Sequence, residues 1–434
     1  MGGGDREEGP AVSGGEVAPA PRTGLNPART VAELKELRRL TGDEQGAQRV
    51  AFTDPWLRAR AFLKERLAEL PVEVHQDPAG NLWATLKGES GRELLIGGHL
   101  DSVPNGGWLD GALNVLAGLE VMRRVSAQYA GRPPVTLRLV DWADEEGARF
   151  GRSLYGSSAA SGHFDVAEMS KLTDRDGVSL PDALAGVGVR LEDAQQARQE
   201  LKNAAAYLEL HIEQGPVLEG LGLPLGAVLG TVGVERHVLT FHGQAAHSGS
   251  TPMNVRRDAF LAAARLGQEI YAIAERHGGV CTIGSVKTWP GIVTSVVERC
   301  EITLDQRHLD AGKLAAMWQD AQEAAGRFAQ EGGCTVEVGR LWNIEPIPFD
   351  PDLIGAAEAA ILETVPTSHR LPSGPLHDAA EVARAGVPTV MLFVQSLRGI
   401  SHNRIEDTLE EHLELSVVAL DRLTDRAMAW IQGG

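Results

Sequence analysis

Cysteine is scarce in this chain: Cys281, Cys300 and Cys334 are the only three in 434 residues, widely spaced and without a C-x-x-C pair. That pattern disfavours a disulfide scaffold or a thiolate metal site, and it suits a reducing cytoplasm. No run of about 18 uncharged apolar residues occurs, so no segment reads as a membrane span. Positive charge is also short, with 41 Lys and Arg against 59 Asp and Glu and a formal net charge of -18. Nucleic acid is a poor partner for such a chain, because binding it requires Lys and Arg to neutralise phosphates and no basic block is present. An anionic substrate would need local positive charge from an arginine or a metal.

What is present fits a globular enzyme, with 43% hydrophobic and 23% charged residues. A chain of 434 residues predicts more than one domain, since single cores stop growing before about 250 to 300 residues. Residues 1–22, MGGGDREEGPAVSGGEVAPAPR, read as a disordered tail. They have neither the apolar core of a signal peptide nor the Arg-rich, acid-poor character of a transit peptide.

Pro27 to Leu70 reads mostly as helix, and VEVHQDPAGNLWATLKG as two short strands around a turn. Four later segments, ELLIGGHLD, VTLRLVDWADEEG, YLELHIEQG and PTVMLFVQSLRGISH, each begin as an apolar β-type run and end in histidine or acid. Ligands of open α/β sheets bind outside the carboxyl ends of strands, so these four clusters can converge on one crevice. Between them, Gly111 to Ser126 is a helical candidate with Leu113, Leu116, Leu119, Met122 and Val125 on one side. The core is therefore α/β. Residues 225–345 instead read in the order β-α-β-β-α-β, the split arrangement of ferredoxin-like modules. They are taken as an insertion into a metal-binding catalytic domain formed by residues 23–224 and 346–434, because the fourth polar-ended strand follows them.

Each chemical candidate also has a plain structural reading. His99 and Asp101 form an H-x-D unit and Asp110 follows, but Asp110 also suits the N-cap of the next helix. Asp144, Glu145 and Glu146 are three adjacent carboxylates, which suit a solvated loop as well as a metal. His211 and His402 taken singly suit hydrogen-bonded structural roles. Together, two or three histidines and several carboxylates at strand ends match the ligand preferences of Zn, Mn, Co or Ni, and point to a metallohydrolase.

The segments GGHLDSVPNGGWLDGALNVLAGLEV, DEEGARFGRSLYGS, LELHIEQGPVLE, HGQAAHSGSTPMNVRRDA, LDQRHLD and GISHNRIEDT resemble, in order and spacing, a family of zinc-peptidase-like amidohydrolases. This M20-type family contains N-carbamoyl-L-amino acid hydrolase, allantoate amidohydrolase and β-ureidopropionase. The resemblance implies a zinc-peptidase-like catalytic domain with a central mixed sheet, and an inserted ferredoxin-like α+β domain serving as lid and homodimer surface. It further implies two divalent ions, with His99 and His211 on one, Glu146 and His402 on the other, and Asp110 bridging. Glu145 becomes the general base, and Asp101 is suited to hold the His99 imidazole from behind. His247 matches a histidine that stabilises the oxyanion across the dimer, Arg307 an arginine that pairs with the substrate carboxylate, and Gln214 a glutamine that contacts the ureido group. Backbone around Gly399 is a further carboxylate contact. The implied reaction is cleavage of the carbamoyl C-N bond of an N-carbamoyl-L-amino acid or similar ureido acid, with allantoate, ureidopropionate, N-acyl amino acids or dipeptides as alternative substrates. A non-catalytic binding descendant is a rival from another class, although every candidate ligand is retained.

The chain departs from the family pattern at several positions. Thr294-Ser-Val-Val-Glu-Arg299 stands where an asparagine and Val-Val-Pro-Gly are common, and Ser373-Gly-Pro-Leu-His-Asp378 where Ser-Gly-Ala-Gly-His-Asp is usual. Gln395 replaces an expected proline, and Trp108 and Asn114 are also unusual. These changes bear on substrate identity, and Trp108, two residues from Asp110, is expected to influence it.

Overall fold

A computed structural model of the chain describes residues 24–433; the N-terminal tail read from residues 1–22 lies outside the described residues. Helices Pro27–Thr41 and Asp54–Leu67 open the fold, separated by a short two-stranded hairpin that divides the helical stretch read from sequence. The strands that follow are β1 (Glu73–Gln76), β2 (Leu82–Leu86), β3 (Ser90–His99), β4 (Val135–Trp142), β5 (Ala204–Ile212), β6 (Leu225–Thr231), β7 (Gly233–His242), β8 (Val280–Trp289), β9 (Arg299–His308), β10 (Thr335–Ile344), β11 (Ile347–Pro348), β12 (Arg370–Ser373) and β13 (Thr389–Val394).

Nine of them form one mixed sheet in the order β11-β6-β13-β5-β3-β4-β2-β1, with β12 beside β6. Its centre, β13-β5-β3-β4, is parallel throughout. These are the four polar-ended segments, and parallel pairing puts their carboxyl ends along one edge. All eight residues of β4 are buried, as expected of a strand covered on both faces.

Helix Ala112–Gln128 packs on β3, β4 and β5 beneath helices Pro27–Thr41 and Glu410–Gly433. Fifteen of its residues, Ala112 to Ser126, are buried, not only the apolar stripe foreseen from its periodicity. Sheet on one side and two helices on the other leave it no solvent face.

The remaining strands, β7 to β10, make a separate antiparallel sheet in the order β8-β9-β7-β10, carrying helices Ala259–His277 and Ala311–Glu331. Its strands alternate between buried and open positions, because the helices cover one face only. Leu239, Phe241, Leu266, Ile302 and Met317 belong to its own hydrophobic core, distinct from that of the larger sheet. The sequence-based boundary at residue 225 needs correction. Leu225–Thr231 was not read as a strand, yet it pairs with β11, β12 and β13 in the larger sheet, so the smaller unit begins at Gly233. Two glycines and an alanine break up the apolar residues of LGAVLGT, so no long apolar stretch marks this strand.

Candidate metal and substrate site

At the carboxyl edge of the parallel strands, the loop after β3 turns back so that Asp110 faces the end of β5. Asp110 Oδ1 lies 3.3 Å from His211 Nε2 and 3.7 Å from His99 Nε2. Its other oxygen, Oδ2, lies 3.5 Å from His402 Nε2, which is 3.2 Å from Glu146 Oε2. Two groups of potential ligand atoms, His99 with Asp110 and His211, and Asp110 with Glu146 and His402, are each gathered within 4.8 Å and share one carboxylate.

The turn explains its glycine. Gly111 has φ of 65°, and a Cβ there would lie 2.4 Å from the His99 ring. Only glycine relieves both constraints. Gly111, not Asp110, is also the N-cap of the helix that follows, so the capping role considered for Asp110 is not used.

Charge in the cluster is one-sided. Burial pushes Glu145 well above the usual carboxylate range; His99 opposes that shift while Asp378, Glu146 and Asp101 add to it. Burial and repulsion from Asp110 likewise raise Glu146. Burial also works against ionisation of Asp110, but hydrogen bonding to His211 and the imidazole charges hold it below the usual range. His402, hydrogen-bonded to Glu146, is raised to about 9. Burial resists protonation of His99 and His211, yet neighbouring carboxylates raise both. Raised imidazoles beside raised carboxylates mark a place where a cation would balance the acids. Among the described residues His99 Nε2 is buried with no hydrogen-bond partner, although it lies 3.7 Å from both Asp110 and Glu145. A mixed imidazole and carboxylate donor set with an orphaned ring nitrogen fits a divalent cation.

Around these atoms lies a supporting layer. His99 Nδ1 is 3.1 Å from the Asp101 carbonyl oxygen, while the Asp101 carboxylate stands 3.6 Å away. Asp101, suited by its spacing to hold the His99 imidazole, brings its backbone carbonyl within hydrogen-bonding distance of the ring. Its carboxylate accepts the backbone N-H groups of Glu145 and Glu146 at 3.2 and 3.1 Å, because β3 and β4 end side by side. The carbonyl of Ile212 orients His211, 2.8 Å from its Nδ1.

Several contributors carried no assigned role in the sequence reading. Glu406, within the quoted GISHNRIEDT, is buried and accepts the N-H groups of Leu109 and Asp110. Arg49 is fully buried and lies within the field of Glu406, Asp101, Asp110 and Glu146. Glu209 and His377 make a third gathering with His211. The histidine and acid of Ser373-Gly-Pro-Leu-His-Asp378 were a signal for His377; nothing local marked Arg49.

A cavity of about 280 Å³ opens over the ligand atoms, and Glu145, Gln214 and Arg307 line it with Asp110, Glu146, His211 and His402. Gln214 Nε2 donates to Asp110 Oδ2 at 2.8 Å, and its Oε1 is buried without a partner among the described residues. Arg307 comes from β9, so the smaller sheet closes one side of the cavity. His247 is exposed and outside this lining; its Nδ1 accepts the Gly249 N-H at 3.1 Å. Gly399 is also outside it, packed against Gly215 and Pro216. Trp108 is buried beneath the Arg38 guanidinium and does not line the cavity, contrary to the influence on substrate expected of it. Among the other departures, Pro375 and Leu376 line the cavity, whereas Thr294 and Gln395 do not.

Residues 95–426 match the model of peptidase family M20/M25/M40. The chain belongs to that family. It is 36% identical to an N-carbamoyl-L-amino acid amidohydrolase of Geobacillus stearothermophilus, over 84% of this chain and 90% of that protein. It is 34% identical to an allantoate amidohydrolase of Escherichia coli K12, over 84% of this chain and 88% of that one. A crystal structure of a hydantoinase/carbamoylase family amidase from Burkholderia ambifaria superposes with a TM-score of 0.84 at 32% identity, over 94% of this chain and 97% of the other. The M20/M25/M40 member described here is accordingly a hydrolase acting on C-N bonds.

Proposed function

We propose that the protein hydrolyses the carbamoyl C-N bond of an N-carbamoyl-L-amino acid, giving the amino acid, ammonia and carbon dioxide. The carrying observation is Asp110, whose two oxygens face two separate sets of imidazole and carboxylate ligands in a cavity that also holds Arg307. His99 and His211 would hold one divalent ion and Glu146 and His402 a second, with Asp110 between them. Zn, Mn, Co or Ni suits such a set. A bound pair supplies Lewis acidity toward the scissile carbonyl and makes water a nucleophile at neutral pH.

Glu145 is the general base: its burial makes it a better proton acceptor than an exposed carboxylate, and it returns the proton to the leaving nitrogen. Arg307 pairs with the substrate carboxylate, for which a planar guanidinium is suited. The free Oε1 of Gln214 can accept a ureido N-H. In this reading β7 to β10 with their two helices are a ferredoxin-like lid and the surface of a homodimer. Tyr271, 74% exposed, and Val293, 97% exposed, support an unfilled contact there. His247, exposed on the same unit, then serves the partner subunit as oxyanion donor, and the backbone at Gly399 is kept as a secondary carboxylate contact. Three free cysteines and no helix long and apolar enough to cross a membrane among the described residues support a cytoplasmic setting.

Allantoate is the second reading, favoured by the similarity to the E. coli protein named for that activity. Ammonia release from a panel of N-carbamoyl amino acids, allantoate, ureidopropionate and N-acetyl amino acids decides between them. Release of an amino acid without ammonia would defeat the ureidase reading.

A further inference from the structure

Besides its charged groups the cavity lining carries several apolar side chains, and these include both departures in the segment after β12. At one end stand the clustered ligand atoms. At the other, Arg236 and Arg307 share one counter-ion: Arg236 Nε is 2.6 Å and Arg307 Nε 2.8 Å from opposite oxygens of Asp305. Two guanidinium groups on one carboxylate leave a positive charge in excess at that end. A substrate held by its carbamoyl group at the first end and its carboxylate at the second must place its α-carbon between them.

Leu154, Val232, Val234, Pro375 and Leu376 belong to this lining, and none has a side-chain hydrogen-bonding group. Leu154 and Val234 are fixed by burial, at 5% and 6% exposure. The segment carrying Pro375 and Leu376 is clamped: Ser373 Oγ donates to the Pro375 carbonyl at 2.8 Å and lies 3.0 Å from His377 Nε2. Leu376 therefore presents a preorganised apolar surface, not a mobile one.

We infer that this apolar part of the lining is the subsite for the substrate's α-substituent, and that it selects aliphatic side chains over polar ones. The inference rests on the N-carbamoyl amino acid reading and deepens it. A branched aliphatic chain would bury its surface against Leu376 and Val234. A carboxamide, or the second ureido arm of allantoate, would lose water there without gaining a partner, which is the unfavourable case for any buried polar group.

The test is the ratio of kcat/KM for N-carbamoyl-L-leucine to that for N-carbamoyl-L-asparagine, whose side chains have nearly the same shape. Because it is a ratio, the fraction of correctly folded enzyme cancels. The metal-loaded wild type should favour leucine by about 10- to 200-fold, the range in which an apolar pocket discriminates. Leu376→Ser should lower the ratio by about tenfold, and Leu376→Ala by a smaller factor. A wild-type ratio near one, or a ratio unchanged in both variants, overturns the subsite while leaving the carbamoylase reading intact. Turnover of allantoate with neither carbamoyl amino acid overturns the reading itself, and the subsite with it.

Discussion

Replacing Glu406 by alanine should loosen the loop that carries Asp110. Glu406 is only 2% exposed, and its Oε1 accepts the backbone N-H groups of Leu109 at 3.1 Å and Asp110 at 3.0 Å. Residue 107 is glycine because a Cβ there would lie 1.9 Å from Glu406 Cδ. Burial and repulsion from Asp110 push Glu406 up to about 8 in the metal-free protein. Glu406→Gln keeps an acceptor oxygen of nearly the same shape and should cost less than about 1 kcal/mol. Glu406→Ala strands two buried N-H groups at about 1 to 3 kcal/mol each, or about 2 to 6 kcal/mol before relaxation. Since one of them belongs to Asp110, metal affinity should also fall by about 10- to 100-fold, as is usual when the support of a ligand is removed. Urea unfolding of chelator-treated protein measures the first effect, and calorimetric titration with Mn or Zn the second. Gly107→Ala, which displaces the same carboxylate, should reproduce both. A Glu406→Ala protein with the wild-type midpoint and metal affinity would refute this account of how Asp110 is positioned.

Glu145→Gln should bind metal as the wild type does but lose about 10²- to 10⁴-fold in kcat, the usual contribution of a positioned base; metal analysis beside steady-state kinetics checks this, and near-normal turnover removes Glu145 from that role. His247→Ala should lose turnover while keeping its metal, and subunit exchange with Glu145→Gln protein should restore part of the activity if His247 acts across a dimer. Absence of rescue after verified exchange counts against a shared site. His237, stacked on Trp318 with ring centroids 3.5 Å apart, is lowered to about 4 by burial, with Arg340 adding to the effect. As pH falls below about 6.5 the unfolded chain takes up a proton that the folded chain refuses until about pH 4, so stability should fall across that window by up to about 3 kcal/mol. His237→Phe keeps the ring stack and should flatten that part of the pH profile of urea unfolding; an unchanged slope would show that another group is responsible.

Much of the architecture was legible in the sequence because the signals are local. Apolar runs ending in His99, Glu145 and Glu146, His211 and the segment before His402 marked strand ends, and parallel pairing of four such strands is what makes their ends coincide. The β-α-β-β-α-β order of the smaller unit followed from alternation and helical periodicity, except at Leu225–Thr231, whose small residues look like a loop until sheet pairing is known. Composition and residue type alone argued for a metal set of imidazoles and carboxylates. Tertiary structure decided what depends on distance between remote segments. It put the Asp101 carbonyl against the His99 ring and the Asp101 carboxylate on the backbone of Glu145 and Glu146, brought Glu406 under Asp110, and put the Arg49 charge among the acids. It also separated departures from the family pattern that sequence could only list together: Trp108 is buried away from the cavity, whereas Leu376 lines it. Periodicity records which face of an element is apolar, but hydrogen bonds and cavity walls are made by residues far apart in the chain, and only the folded arrangement specifies which of them meet.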